Sequence, residues 1–177
     1  VNGYKSPLAL MEELIALRLV LEQQHDNLFA EGLDDFITNV SLFGFHFASL
    51  DIRQESRKHE ALVEEIILHK AGQPALDAYR LKGIHAKMEY LHSCYWNIDA
   101  SITTDATSTD IIQSMQAIGK IQATNGTKAC HRYVISNSRH ALDVFSILIL
   151  MKWIHGHDQQ NIDIVPLFES IDDLGTA

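Results

Sequence analysis

The sequence predicts a helix-rich α/β fold with about three parallel strands and several helices inserted after the first of them. Two observations carry that expectation. Residues 132–136 (RYVIS) and 161–168 (NIDIVPLF) are branched or apolar runs on either side of a helical pattern, and the order strand, helix, strand implies parallel strands joined by a right-handed crossover. A further β-like run at residues 45–53 (FHFASLDIR) precedes the second by about 80 residues, far more than one crossover helix needs.

Taken in order, Ser6 before Pro7 is an N-cap followed by a first-turn proline, and Leu10, Met11, Leu14, Leu17, Leu21 and Leu28 recur at helical spacing. This predicts a helix over 7–30, broken by Gly32. A shorter amphipathic helix is expected over 33–43, before Gly44. In 45–53 the residues are mostly aromatic, small or branched with little alternation, as in a strand covered on both sides. Residues 55–71 form an amphipathic pattern with Leu62, Val63, Ile66 and Ile67 on one stripe, stopped by Gly72 and Pro74.

Signals weaken after that. A helix is expected over 86–95, a polar loop over 99–109, and a helix over 110–124 ended by Asn125 and Gly126. Asn137 or Ser138 is expected to cap the helix running to His155. Residues 1–177 thus read as a single segment: helices 7–43, a strand 45–53, inserted helices 55–124 and a βαβ unit 132–168.

Composition excludes several classes. The 177 residues are 46% apolar, ordinary for a globular protein with a core. Fourteen Lys and Arg against 23 Asp and Glu give a formal charge of −9, with no basic stripe for a phosphate backbone, so no nucleic acid is expected as a partner. The apolar run 144–154 contains Lys152 and is well short of the roughly 20 residues that span a bilayer, so no membrane is expected either. Cys94 and Cys130 lie far apart and read as packing thiols of a protein in a reducing cytosol. The first residue is not Met and the last residues follow a strand-like run directly, which suggests a piece of something larger.

All three β runs end in polar residues: Asp51, Arg53, Gln54 and Glu55; Ser136 and Asn137; Glu169, Asp172 and Asp173. In parallel α/β folds ligands bind at the carboxyl ends of the strands. Alternation places Phe45, Phe47, Ser49, Asp51 and Arg53 on one face, so Arg53 stands at a strand mouth with a planar fork suited to phosphate or carboxylate. Glu169 ends the third run, and its hard oxygens suit Mg²⁺ or Mn²⁺. Plainer roles stand beside these. Arg53 is equally suited to a structural ion pair with Asp51 or Glu55, and Glu169 to the first turn of a following helix. The ten histidines (25, 46, 59, 69, 85, 92, 131, 140, 155 and 157) show no zinc-binding pattern, and Arg139 with His140 reads as solvated or packing.

Residues 43–59 (FGFHFASLDIRQESRKH) resemble the phosphoenolpyruvate carboxylase segment F-G-x-x-L-x-x-L-D-I-R-Q-[DE]-S-x-x-H, departing only at Phe47, where that family usually has Leu. Tyr133 to Ser136 with Asp143 and Val144 are similar to its Y-[VI]-I-S…D-V segment, and residues 165–174 (VPLFESIDDL) to its V-P-L-F-E-[TS]-[IL]-D-D-L. The resemblance covers residues 33–175, strongest in those blocks.

It implies part of a (β/α)8 TIM barrel with inserted helices. It implies an enzyme that joins phosphoenolpyruvate and bicarbonate to give oxaloacetate and phosphate, an anaplerotic fixation of carbon, with Mg²⁺ or Mn²⁺ as cofactor. It further implies a cytoplasmic homotetramer. By that resemblance Arg53 is the catalytic residue that binds the substrate phosphate, and Glu169 is a metal ligand. Asp51, Gln54, Asp172 and Asp173 take supporting roles. The family's T-A-H-P-T, G-Y-S-D-S-x-K-D and R-G-G-G segments have no counterpart here. The chain alone is therefore expected to be inactive, with weak or no metal binding. A non-catalytic, self-associating helical module is a second reading. A different phosphoenolpyruvate-using barrel enzyme is a third, but it would need its own metal motif in place of F-E-[TS]-x-D-D-L, and the sequence holds none.

Overall fold

The computed structural model describes residues 3–156 and 161–169. Two compact units divide at Ser49 and Leu50. The first is a helical hairpin of α1 (Pro7–Gln24) and α2 (Ala30–Phe43). Ser6 caps α1 as expected, its Oγ accepting from the Ala9 amide at 3.3 Å. The first helix is shorter than the leucine spacing suggests. Asp26, Asn27 and Phe29 all take positive φ, so the break falls before Ala30, while Gly32 lies inside α2 with open space where a Cβ would stand. Arg18 holds the turn, its Nε donating to Asp34 Oδ1 at 2.7 Å and its Nη1 to Asn27 Oδ1 at 2.9 Å. Within the hairpin helices only Leu14, Ala30 and Val40 are buried.

Residues 45–50 correct the sequence reading, which placed a strand over 45–53. Phe47 takes φ 61° and is 85% exposed, and the Ala48 amide bonds back to the His46 carbonyl, a local turn that extended backbone does not permit. Ladder pairing starts at Asp51, opposite Arg132. The aromatic run FHF lacks a strand partner among the described residues, which is why β propensity misled there.

The second unit contains β1 (Asp51–Glu55), α3 (Ser56–Ala71), α4 (Gln73–Arg80), α5 (Ile84–Ser93), α6 (Ala106–Asn125), β2 (Arg132–Ser136), α7 (Ala141–His155) and β3 (Asp163–Pro166), with short 3₁₀ turns at 100–102 and 127–129. Its sheet has the order β1-β2-β3 with both pairings parallel. Four α-helices thus fill the long gap between the first two strands, and β2-α7-β3 is the expected βαβ unit. The α6 helix starts earlier than predicted because Asp105 caps it, accepting from the Ser108 amide at 2.8 Å. The cap of α7 is His140, not Asn137 or Ser138. Asn137 takes φ 52° to turn the chain, and Asp143 Oδ2 accepts from the Arg139 and His140 amides at 2.7 and 3.3 Å.

One sheet face is packed by helices. Tyr133 and Ile135 are fully buried there, with Ile52 and Ile164 against the same core as Leu62, Ile66 and Ile67 of α3, Ile111, Ile112, Met115 and Ile118 of α6, and Ile147, Leu150 and Trp153 of α7. The opposite face carries Asp51, Arg53 and Glu55 in register with Arg132, Val134 and Ser136. Arg53 is exposed and Val165, paired through Val134 in the same row, is 37% exposed, so among the described residues β1 is covered on one side rather than both. No helix among the described residues is long and apolar enough to cross a membrane.

Candidate functional site

The carboxyl ends of the three strands open onto a concavity of about 370 Å³ lined by Arg53, Gln54, Glu55, Lys58, Val134, Ser136, Leu167 and Glu169. Two elements bring the charged groups there. Pleat alternation turns Arg53 and Glu55 to the open face, and the chain passes from Glu55 directly into α3, whose first turn holds Lys58. Leu167 continues the ladder one step past β3, its amide donating to the Ile135 carbonyl at 2.8 Å, and so directs the chain to Glu169 on the same rim. Arg53 and Glu169, separated by more than a hundred positions in sequence, line one surface.

The plainer role for Arg53 was an ion pair with Asp51 or Glu55, and both carboxylates are engaged elsewhere. Asp51 Oδ1 lies 3.7 Å from Arg132 Nη1, and Glu55 Oε1 lies 3.9 Å from Arg57 Nε while accepting from Asn137 Nδ2 at 3.3 Å. Among the described residues no ion pair engages Arg53. Gln54 folds its side chain back, Oε1 accepting from the Glu55 amide at 3.1 Å. Asp172 and Asp173 lie outside the described residues, as does the helix after Phe168 that would have made Glu169 a first-turn carboxylate.

The walls of the concavity are held from behind by polar contacts that sequence reasoning missed. Ser56 Oγ donates to the Asn137 carbonyl at 2.6 Å, tying the start of α3 to the end of β2. One turn on, His59 Nε2 lies 2.8 Å from Tyr133 Oη with both residues fully buried. Burial holds His59 down to about 4, with the nearby Lys58 charge adding to the effect and Asp143 opposing it. Burial likewise pushes the Tyr133 phenol up. Arg139 Nη2 donates to Glu60 Oε2 at 3.0 Å and to Asp143 Oδ1 at 3.2 Å, joining α3 to α7. Ser56, His59 and Tyr133 lay within the quoted sequence motifs, but only contact across the sheet gives them a joint role. Cys130 is buried and Cys94 half-buried, as packing thiols.

The hard oxygens of Glu169 and Glu55 suit a divalent cation by type. Among the described residues, however, no group of three His, Cys, Asp or Glu side chains comes together to hold one.

The family model for phosphoenolpyruvate carboxylase matches residues 1–177. Among curated proteins, the chain is 33% identical over 155 residues to a phosphoenolpyruvate carboxylase of Parasynechococcus marenigrum, covering 85% of this chain and 15% of that protein. It is 29% identical over 183 residues to that of Gloeobacter violaceus, covering 100% of this chain and 19% of the relative. A Synechococcus carboxylase is 28% identical over 180 residues, covering 98% and 17%. The chain therefore spans less than a fifth of the length of these relatives.

Proposed function

The chain belongs to the phosphoenolpyruvate carboxylase family, and from that premise we propose that it supplies one wall of the active site of an enzyme converting phosphoenolpyruvate and bicarbonate to oxaloacetate and phosphate. The observation that supports this most is the placing of Arg53 and Glu169 on one concavity at the carboxyl ends of parallel strands. Arg53 binds the phosphate of phosphoenolpyruvate and offsets the charge that develops as bicarbonate attacks phosphorus. Glu169 offers one oxygen ligand to Mg²⁺ or Mn²⁺, the remaining ligands coming from beyond this chain. Asp51, paired with Arg132, has a structural part.

The three-stranded sheet is, on this reading, an arc of a (β/α)8 TIM barrel. Helices on one face and an open opposite face are what such an arc presents. The enzyme is cytoplasmic and homotetrameric, and the 177-residue chain alone is inactive because one Arg and one carboxylate do not position both substrate and metal.

The test is oxaloacetate formation from phosphoenolpyruvate and bicarbonate with Mg²⁺. It compares the full-length carboxylase carrying this segment, its Arg53→Ala and Glu169→Ala variants, and the chain by itself. Loss of most turnover in both variants, with a silent chain, supports the reading. Wild-type rates in both variants remove the residue roles.

A second reading is favoured by exposed apolar side chains in the helical hairpin, among them Leu8, Leu17, Phe29 and Leu42. On that reading the chain is a self-associating helical module, and sedimentation would find a concentration-dependent dimer.

A further inference from the structure

We propose that Lys58 is a second anion-binding arm of the Arg53 concavity, so that this wall takes a phosphate group between two cations. The inference deepens the phosphate-binding reading of Arg53 and rests on it. Three observations carry it. Lys58 lines the same concavity as Arg53 and the Ser136 hydroxyl. It lies in the first turn of α3, and helix side chains lean toward the N-terminus, which here is the end that meets the strand mouth. Among the described residues no ion pair engages its ammonium.

Of the two carboxylates that line the concavity with Lys58, Glu55 and Glu169, the one nearest to it in sequence is engaged elsewhere. Glu55, the carboxylate nearest in sequence on that rim, faces Arg57 Nε at 3.9 Å and accepts from Asn137 Nδ2 at 3.3 Å. Arg57 is therefore turned to Glu55 and is not among the residues lining the concavity, whereas Lys58, one residue on, is. A phosphate monoester carries close to two negative charges at neutral pH. One guanidinium neutralises about half of that, and a second fixed cation matches the remainder. The two cations also differ usefully in kind. The fork of Arg53 fixes orientation, while the Lys58 ammonium is a point charge on a flexible stem that follows the oxygens as they move.

The probe is inorganic phosphate, titrated into the 177-residue chain at matched ionic strength with chloride as control and followed by amide shifts. The expected result is phosphate-specific shifts at residues 53–58 and at Ser136. Arg53→Ala and Lys58→Gln should each raise Kd about tenfold, the loss of one charge-assisted hydrogen bond. Lys58→Arg should retain binding and Arg57→Gln should leave it within about twofold. Weakening by Arg53→Ala but not by Lys58→Gln overturns the role of Lys58 and leaves that of Arg53. Absence of phosphate-specific shifts in the unmodified chain, or wild-type Kd in both variants, overturns the two together.

Discussion

His59 Nε2 and Tyr133 Oη, 74 positions apart in sequence, meet at 2.8 Å in the core behind the strand mouths. The bond clamps the first turns of α3 to the middle of β2, and so fixes the wall that carries Arg53, Glu55 and Lys58. Its cost is visible at the other ring nitrogen, since His59 Nδ1 is buried without a hydrogen-bond partner among the described residues. An imidazole in that setting is tolerated only while neutral.

The first prediction concerns that neutrality. His59 titrates at about 4 in the folded chain against an ordinary value of 6.5. Between those values the unfolded chain binds a proton that the folded chain refuses, so stability is full above pH 6.5 and falls as the pH drops toward 4. Urea unfolding at pH 7.5 and pH 5 should differ by about 2 kcal/mol from this group. In the double variant His59→Phe with Tyr133→Phe, which removes both polar partners, that part of the slope should vanish. A slope unchanged by the double substitution would mean that His59 is not the group responsible.

A second prediction follows from Asp143. Its carboxylate is 3% exposed and accepts from two backbone amides and from Arg139 Nη2. Asp143→Ala removes the N3 half of the capping box that His140 opens at α7 and leaves Arg139 with Glu60 alone, and it should cost about 3 kcal/mol by chemical denaturation. Glu60→Ala removes only the more exposed partner, which pairs at 38% side-chain exposure, and should cost under about 1 kcal/mol. Equal costs for the two would contradict the placing of Asp143 at the centre of the contact.

The start of α6 gives a third. Asp105 caps the helix while Glu65 of α3 accepts from the Thr103 and Ser108 hydroxyls, the latter at 2.7 Å, so the polar loop before α6 is pinned to α3. Asp105→Ala should lower stability by about 1 kcal/mol. Glu65→Ala strands two largely buried hydroxyls and should cost about 2 kcal/mol. Thermal melts of both variants beside Asp110→Ala, an exposed residue inside the helix, separate capping from a general loss of charge.

These contacts also mark what the sequence makes legible. The βαβ unit at the end was readable because RYVIS is a short branched run and α7 is apolar almost all round, so period and propensity agree. Arg53 was expected at the mouth of a strand over 45–53, whereas it is the third of five residues in β1, and Glu169 lies three positions past β3; the two nevertheless line one concavity. The run 45–50 misled because its aromatics have the composition of a strand, while pairing depends on a partner backbone that begins only opposite Asp51. The α4 helix was hidden by Gly72 and Pro74, which stop α3 and also open the next helix, with Pro74 in its first turn. His59 with Tyr133 and Arg139 with Asp143 and Glu60 needed the fold, because sequence spacing carries no information about which side chains meet across a sheet.

Arg53 supplies the last prediction. It is exposed and lies mid-strand in β1, and among the described residues no ion pair depends on its charge. Arg53→Ala and Arg53→Lys should therefore change stability by no more than about 0.5 kcal/mol. A strand residue kept only for packing would behave otherwise, since truncation would expose or unpair its neighbours. Function should separate the two variants. Lysine keeps the charge but not the planar fork, so in the full-length carboxylase Arg53→Lys should retain part of the binding of phosphoenolpyruvate while losing about a hundredfold in turnover, and Arg53→Ala should lose both. Steady-state kinetics beside denaturation curves decide the matter. Stability loss that tracks activity loss would make Arg53 a structural residue, whereas lost turnover on an unchanged fold assigns it to the substrate.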